Sequence, residues 1–324
     1  MNLIVNAFAF KENYGASMQL GNRSDMEKLS TYMKNLVVSL ISAKKNNPDD
    51  EVMLIATDQP FSPYNEMLAD AGVKVRIVPF DTFVMPKEFP WALAFYKLCV
   101  LKELSKTDEY EKILLIDTDT FTVKNYSELW SEASHGIVLY DISHSYDHPD
   151  RAVIKKARDN MYAGNEMNIV HYGGEFYCGR PVDIRELMNE CSKVFEDVEK
   201  SNFDIPKESS DEVILSIAAA FYASSHRIIH GGAYIFRYWT ENLFYLVSTN
   251  HTKNPVCVWH FPVEKDTGIV LLFNYYQKHK SFPDAGKAGK MLGMNKAKRP
   301  FSAYRISARR LLADRDEKEI HHGY

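Results

Sequence analysis

Two aspartates one residue apart, Asp117 and Asp119, directly follow four consecutive apolar residues at 113–116. Such a run, bounded by polar residues, is typical of a strand that is buried on both faces. Carboxylates are costly to bury without a partner, so two of them at the end of a buried strand need an explanation. Oxygen ligands suit Mg²⁺ or Mn²⁺, which predicts a divalent cation here. A turn formed by the two aspartates is the alternative.

A histidine and a lysine far along the chain could complete this site. His260 follows a short apolar run, and an imidazole ligand favours Mn²⁺ over Mg²⁺. Lys265 comes five residues later and could place a point charge beside a phosphate. We therefore predict Asp117, Asp119 and His260 as the metal ligands. A structural histidine beside a surface lysine is the alternative.

The elements that must position these residues alternate between strand and helix over residues 1–140. Apolar runs predict strands at 3–10, 52–57, 73–78, 113–116 and 136–140. Helical spacing predicts helices at 25–45, with Ser24 as the N-cap, at 64–71 and at 90–104. Strands joined by helical crossovers predict an α/β fold whose mostly parallel central sheet is covered on both faces.

The second half of the chain is less regular. Strands are predicted at 168–178, with an interruption at Gly173 and Gly174, at 228–239 and at 256–259. Helices are predicted at 184–200 and 211–222, and a polar loop at 141–148. No linker or repeat marks a boundary, so we expect one domain over residues 1–285, followed by a tail over 286–324.

Five short segments resemble motifs of the GT-A glycosyltransferases. The Asp-Thr-Asp motif at 117–119 and the His-Phe motif with its lysine at 260–265 look most like glycosyltransferase family eight, the glycogenin and bacterial galactosyltransferase group. The glycine-marked segment at 172–179 and the Ser-Asp-Glu motif at 210–212 are similar to the blood-group-type family six. Phe-Tyr-Lys at 95–97 resembles the donor-binding helix of such enzymes.

The resemblance implies a GT-A fold and a metal-dependent hexosyltransferase. Its donor would be a nucleotide sugar, with a UDP-sugar as the first expectation, and its acceptor a glycan or a lipid-linked acceptor. Both families retain the configuration of the transferred sugar, so retention is expected. Residues 1–140 would form the nucleotide-binding half of the catalytic domain and 141–285 the acceptor-binding half. Mn²⁺, or Mg²⁺ in its place, would act as a Lewis acid on the departing diphosphate.

Two neighbouring carboxylates are the candidates for the catalytic groups. Asp211 or Glu212 could deprotonate the acceptor hydroxyl, or stabilise an oxocarbenium-like centre if the configuration is retained. The alternative is structural, because acids at a helix N-terminus are favoured by the helix dipole, with Ser209 or Ser210 as the cap.

The glycine-marked strand is the expected site of acceptor contacts. Gly173 and Gly174 would let a sugar ring approach the backbone, and Glu175 would contact the acceptor. A β-bulge with Glu175 at the surface is the alternative, and both interpretations stay open. The polar loop at 141–148 is the other expected part of the acceptor site.

The nucleotide is expected at the carboxyl ends of the first two strands. Phe8, Phe10 and Tyr14 could contact the base, and Asp58 the base or the ribose, although the aromatic residues could equally be core. The remaining residues of the predicted donor site are Tyr96, Lys97, Asp117, Thr118 and Lys265. No Gly-x-Gly-x-x-Gly motif follows the first strand, which argues against a nicotinamide or flavin site.

Composition and charge narrow the location and the partners. A formal net charge of -4 argues against a nucleic-acid binder, and the N-terminus begins as a strand without a basic signal region. Four scattered cysteines favour reduced thiols, so we expect a cytoplasmic protein. From Lys287 to Ala313 the chain has eight basic residues and no acidic one. That tail could lie on an anionic membrane surface, or else form a solvated helix or a contact within a homo-oligomer.

Two other functions remain open from the sequence. A sugar-nucleotide pyrophosphorylase would share the sheet, but it needs a glycine-rich N-terminal loop that residues 6–20 do not supply. A non-catalytic glycan- or membrane-binding protein with a decayed site is the second alternative. The intact set of Asp117, Asp119 and His260 argues against it.

Overall fold

A computed structural model describes residues 1–10, 20, 24–143, 149–163, 168–240 and 250–294 of the chain. Within this part lie ten strands, β1 (Leu3–Phe8), β2 (Glu51–Ala56), β3 (Lys74–Ile77), β4 (Ile113–Ile116), β5 (Thr120–Thr122), β6 (Ile137–Asp141), β7 (Tyr172–Gly179), β8 (Ile228–His230), β9 (Ile235–Arg237) and β10 (Val258–His260). The α-helices of the same residues are α1 (Asp25–Asn46), α2 (Tyr64–Asp70), α3 (Tyr96–Leu104), α4 (Ser127–Glu132), α5 (Pro149–Met161), α6 (Pro181–Lys200), α7 (Asp211–Tyr222), α8 (Asn250–Lys253), α9 (Gly268–His279) and α10 (Ala285–Met291).

Seven strands form the central sheet, in the order β3-β2-β1-β4-β7-β6-β8. β1 pairs in parallel with β2 and β4, β2 with β3, and β6 with β8. β7 runs antiparallel to both of its neighbours, β4 and β6. The predicted α/β fold with a mostly parallel sheet is therefore confirmed. Because β7 lies between β4 and β6, this one sheet combines strands from both halves of the chain.

Both faces of the central sheet are covered, as the apolar run at 113–116 indicated. On β4, Ile113 and Leu115 pack into one core with α3, α6 and α7. Leu114 and Ile116 point the other way, into a second core with α1 and α9. All four side chains are fully buried, and each such burial contributes about 1.5–3 kcal/mol. The strand is thus packed on both faces along its whole length, up to Ile116, and Asp117 follows directly.

A second sheet of three strands, in the order β5-β10-β9, carries His260. β5 begins directly after Asp119, and β10 pairs antiparallel with it, so that His260 lies opposite Thr120. β10 also pairs in parallel with β9, which places Arg237 beside His260. Strand pairing with β5 therefore brings two distant segments of the chain, β9 and β10, to the end of β4.

The first helix begins as the sequence predicted. Ser24 Oγ accepts a hydrogen bond from the amide of Glu27, and the Glu27 carboxylate accepts one from the amide of Ser24. This reciprocal capping box satisfies two amides that a helix N-terminus leaves without partners. The helix packs against α9 and β5, and its side chain Asn35 reaches the candidate site.

Several boundaries in the second half differ from the prediction. β7 begins at Tyr172 rather than at 168, and it continues through Gly173 and Gly174, although its pairing with β6 shifts register in this stretch. The single strand predicted at 228–239 is two strands, divided by a 3₁₀ turn at Gly231–Ala233. α9 was not predicted, because a short continuous apolar run does not distinguish a strand from a buried helix.

Within the described residues, no helix is both long enough and apolar enough to cross a membrane. The first part of the predicted tail packs with the domain, since Ala288, Leu292 and Met294 are buried in the second core. Residues 295–324, which carry most of the basic side chains, lie outside the described residues. Contact of the tail with a membrane or with a second copy of the chain stays a prediction.

Candidate active site

Asp117 and Asp119 lie in a turn that directly follows the buried strand β4. Thr120 Oγ1 donates to the carbonyl of Asp117 at 2.7 Å, which closes that turn before β5 begins. The amide of Asp117 donates to the carbonyl of Glu175 at 3.1 Å, and the amide of Phe261 donates to the carbonyl of Asp119 at 3.0 Å. The turn proposed as the structural alternative is therefore present, and it also presents both carboxylates to His260.

The structure brings the three predicted metal ligands together. One ligand atom from each of Asp117, Asp119 and His260 can be chosen so that all three lie within 4.8 Å of one another. His260 Nε2 is 3.2 Å from Asp119 Oδ2 and 4.0 Å from Asp117 Oδ2. Atoms bound about 2.1 Å from a common cation lie roughly 3–4 Å apart, so this donor set fits a divalent cation. Its identity as Mn²⁺ or Mg²⁺ stays a prediction.

Lys265 neutralises Asp119 from a second side. Its Nζ donates to Asp119 Oδ2, and Asn35 Nδ2 on α1 donates to the Lys265 carbonyl at 2.9 Å. Burial by itself raises the pKa of Asp119, but Lys265 and His260 outweigh burial and hold that pKa well below its usual range. Lys265 is buried, so the alternative of a surface lysine is wrong. Its charge lies where a phosphate bound near the aspartates would meet it.

His260 is held between two carboxylates. Its Nδ1 lies 3.3 Å from Glu175 Oε1, on the side of the ring away from Asp119. Burial by itself lowers the pKa of His260, but Asp119 and Glu175 raise it to about 9. A metal-binding histidine commonly directs its second nitrogen at a carboxylate, which fixes the ring and its tautomer. Glu175 occupies that place.

Glu175 is fully buried, so the alternative of a surface position is wrong. The pairing of β6 with β7 does shift register between Leu139 and Asp141, so the irregularity expected there is present. Arg237 forms an ion pair with Glu175 from β9. Burial by itself raises the pKa of Glu175, but Arg237 and then His260 outweigh it and keep that pKa below its usual range. The carboxylate therefore stays charged inside the protein.

Gly173 and Gly174 make room for the charged side chains of the protein itself. A Cβ atom at Gly173 would overlap Glu175 Oε2 and lie 2.9 Å from Arg237 Nη2. A Cβ atom at Gly174 would overlap Asp211 Oδ2 and lie 2.8 Å from Lys97 Nζ. These contacts explain the two glycines without a sugar. Their predicted contact with an acceptor, and that of Glu175, stays a prediction.

A buried lysine joins the aspartate turn to the predicted catalytic pair. Lys97 Nζ lies 3.3 Å from Asp117 Oδ1 and 3.1 Å from Asp211 Oδ2. Burial by itself lowers the pKa of Lys97, but Asp117, Asp211 and Glu212 raise it above its ordinary value, so the ammonium stays charged. Burial raises the pKa of Asp211 to about 6 in spite of Lys97. A carboxyl group with that pKa can exchange a proton near neutral pH.

The structural interpretation of the Asp-Glu pair is confirmed, and its catalytic role stays a prediction. Ser210, rather than Ser209, caps α7, because its Oγ accepts from the amide of Glu212 at 3.3 Å. Glu212 also lies 2.9 Å from His171 Nε2 through its Oε2. Burial raises the pKa of Glu212, but Arg237 outweighs burial and lowers it. The two acids thus start a helix and face the cavity at the same time.

A cavity of about 850 Å³ connects these groups. Most of the predicted site lines it: Phe8, Phe10, Asp58, Tyr96, Lys97, Asp117, Thr118, Asp119, Asp211, Glu212, His260 and Lys265. Its wall also contains residues that the prediction missed: Tyr32, Trp91, His171, Arg237 and Trp239. Arg237 stands in the apolar and aromatic run Ile235–Trp239, where a lone charge needs a buried partner, and that signal could have identified it. Tyr14 and residues 144–148 lie outside the described residues.

One end of the cavity is aromatic. The rings of Phe8 and Phe10 meet edge to face with centroids 4.7 Å apart, and Phe8 also lies 5.4 Å from the Tyr32 ring. Phe8 and Phe10 are half-buried and pack against the second core, so they belong to the wall and to the core. Asp58 is exposed at the end of β2. The hydroxyl of Tyr96 donates its proton to the Val78 carbonyl at 2.7 Å, so it is not free to donate to a ligand.

Comparison with known proteins finds no family model that matches the chain and no curated protein that matches it significantly.

Proposed function

We propose that the protein is a metal-dependent glycosyltransferase that moves a hexose from a nucleotide sugar, first of all a UDP-sugar, to a glycan or a lipid-linked acceptor. The observation that carries this proposal is the meeting of Asp117, Asp119 and His260 at the end of β4. They line one cavity that is aromatic at one end and has the Asp211–Glu212 pair in its wall. The resemblance of the motifs to GT-A enzymes supports the same conclusion.

The donor side of the cavity suits a nucleoside diphosphate. Phe8, Phe10 and Tyr32 offer ring faces and edges to a base. Asp117, Asp119 and His260 would hold the cation, which when bound would supply Lewis acidity to a departing diphosphate. Lys97 and Lys265 are buried cations on either side of the aspartate turn, so they add positive charge where the leaving group becomes negative.

The sugar side depends on Asp211 and Glu212. With a pKa of about 6, Asp211 is ionised at neutral pH but holds its proton more readily than an exposed aspartate. It can therefore stabilise a positive anomeric centre under retention, or accept the acceptor's hydroxyl proton under inversion. Glu212 is held by Arg237 and His171, which suits a carboxylate that orients a sugar hydroxyl.

Part of the cavity wall is apolar. Trp91 and the side chains of Val153 and Ile154 line it, together with the half-buried Leu93. Such a surface fits the apolar face of a sugar ring or the lipid of a lipid-linked acceptor.

A nucleotide-sugar screen tests the proposal. UDP-, GDP- and other nucleotide sugars are added with and without Mn²⁺, and thermal stabilisation and sugar release are recorded. Asp119→Asn changes the site, and Asp159→Asn is its matched control. In the wild-type protein the Asp159 carboxylate pairs with Arg158 on α5. We expect one donor to raise the melting temperature only with Mn²⁺, and only Asp119→Asn to abolish that response. No response to any donor, or an unchanged response in Asp119→Asn, would overturn the proposal.

A further inference from the structure

We propose that Arg237 is a positioning residue that keeps the metal-binding side and the sugar side of the site in one geometry. The inference rests on the proposed function, which gives those two sides their roles. Arg237 ends β9, and its backbone lies directly beside that of His260 on β10. Its side chain is only 10% exposed, so its charge must be compensated within the protein.

One guanidinium group compensates two carboxylates. Arg237 Nε lies 2.7 Å from Glu175 Oε1, and Arg237 Nη2 lies 2.5 Å from Glu175 Oε2, which makes the pair bidentate. The same Nη2 lies 2.8 Å from Glu212 Oε1. Without Arg237 these two acids would face each other without the guanidinium that now lies between them, and Glu175 raises the pKa of Glu212 even with Arg237 present.

Glu175 connects Arg237 to the metal-binding side of the site. Glu175 receives the guanidinium on both oxygens, and its Oε1 also faces His260 Nδ1 at 3.3 Å. That contact leaves Nε2 of His260 directed at Asp119. A partner that orients a ligating histidine is worth roughly 10–100-fold in metal affinity, and Arg237 orients that partner.

Glu212 connects Arg237 to the sugar side of the site. Glu212 Oε1 meets Arg237 and also accepts from the Gly174 amide at 3.3 Å, while its Oε2 faces His171. Every oxygen of Glu212 thus has a protein partner that fixes its direction in the cavity wall. Lysine could replace the charge of Arg237, but its single ammonium has no planar fork with which to hold both carboxylates.

Calorimetric titration with Mn²⁺ alone tests the metal side. The variants are Arg237→Met, Arg237→Lys, Glu175→Gln and the double variant of Arg237→Met with Glu175→Gln. Arg185→Met is the matched control, because Arg185 donates to the Ser105 carbonyl and to Asp108, away from the cavity. We expect Arg237→Met to weaken Mn²⁺ binding roughly 10–100-fold, and Arg237→Lys to weaken it less.

The double variant separates positioning from a general loss of structure. If Arg237 acts through Glu175, adding Glu175→Gln to Arg237→Met should change the affinity for Mn²⁺ very little. On the sugar side, Arg237→Met should lower kcat at saturating Mn²⁺ and donor more than it raises KM for the donor, whereas Arg185→Met should change neither.

Wild-type Mn²⁺ affinity in Arg237→Met, fully additive losses in the double variant, or a wild-type protein that binds no Mn²⁺ would each overturn the proposal. If Arg237→Met does not fold, Arg237→Lys and Glu175→Gln decide, and wild-type affinity in both would refute it. A wild-type protein whose Mn²⁺ affinity depends on Arg237, but which responds to no nucleotide sugar, would overturn the proposed transferase and leave the role of Arg237 at the metal side intact.

Discussion

His260 Nε2 lies 3.2 Å from Asp119 Oδ2, although 141 residues separate the two in the chain. The backbone makes the same approach, since β10 pairs with β5 and the amide of Phe261 donates to the carbonyl of Asp119. Because strand pairing and side-chain contact agree, the geometry of the candidate ligand set is a property of the fold.

Asp119→Asn should remove most of the affinity for Mn²⁺, by at least about 100-fold, because a neutral amide replaces the carboxylate that two cations and the metal share. The substitution also leaves Lys265 buried without its partner, and breaking a buried ion pair costs about 3–5 kcal/mol. Mn²⁺ titration and urea unfolding measure the two effects. Asp159→Asn is the control, and equal Mn²⁺ affinity in Asp119→Asn and wild type would contradict the metal site.

Lys265→Met should separate metal binding from diphosphate binding. The variant removes a cation that competes for Asp119, so Mn²⁺ should bind a few-fold more tightly. It also removes a charged contact for the diphosphate, and the Kd for UDP in the presence of Mn²⁺ should rise roughly tenfold. Both constants are measured by calorimetry. Lys74→Met is the control, because Lys74 pairs with Glu51 at the sheet edge. A weaker Mn²⁺ affinity together with unchanged UDP binding would argue against this role.

Gly174→Ala should destabilise the protein although it adds one methyl group. The new Cβ atom would overlap Asp211 Oδ2 and lie 2.8 Å from Lys97 Nζ, so the buried ion pair must shift. Overpacking of this kind costs about 1–3 kcal/mol in the free energy of unfolding, measured by urea denaturation. Gly286→Ala on α10 is the control, where the nearest atom would be 3.2 Å away and alanine is a better helix former. Equal stability of both variants would show that the site tolerates the shift.

Asp211→Asn should become more stable relative to wild type as the pH rises. Burial raises the pKa of Asp211 from 3.8 to about 6, so the folded protein binds this proton more tightly than the unfolded chain does. Its stabilising contribution is complete below the unfolded pKa and is lost as the pH rises to about 6. The loss amounts to about 3 kcal/mol, and asparagine does not titrate.

Urea unfolding of both proteins at pH 4, 5, 6 and 7 measures this difference. The free energy of unfolding of Asp211→Asn minus that of wild type should increase across the series. A constant difference, or one of opposite slope, would mean that Asp211 is not held in its protonated form by burial.

Much of the frame could be predicted because its signals are local. The run Ile113–Ile116 is buried on both faces as its composition indicated, and Ser24 caps α1 as its type and position indicated. The Asp-x-Asp turn and the late histidine could be singled out as candidate metal ligands because carboxylates at the end of a buried strand need positively charged partners. By contrast, α9 and the two-part strand at 228–237 were missed where the apolar pattern is ambiguous.

The sequence by itself therefore determined the α/β frame and the residue types of the candidate metal ligands. Only the tertiary structure decided which charges meet: Glu175 with His260 and Arg237, and Lys97 with Asp117 and Asp211. The physical reason is the distance along the chain over which each kind of interaction acts. Secondary-structure propensities act over a few residues, whereas a buried ion pair depends on the pairing register of strands that are far apart in the chain, and a slip of one residue would turn Arg237 to the opposite face of β9.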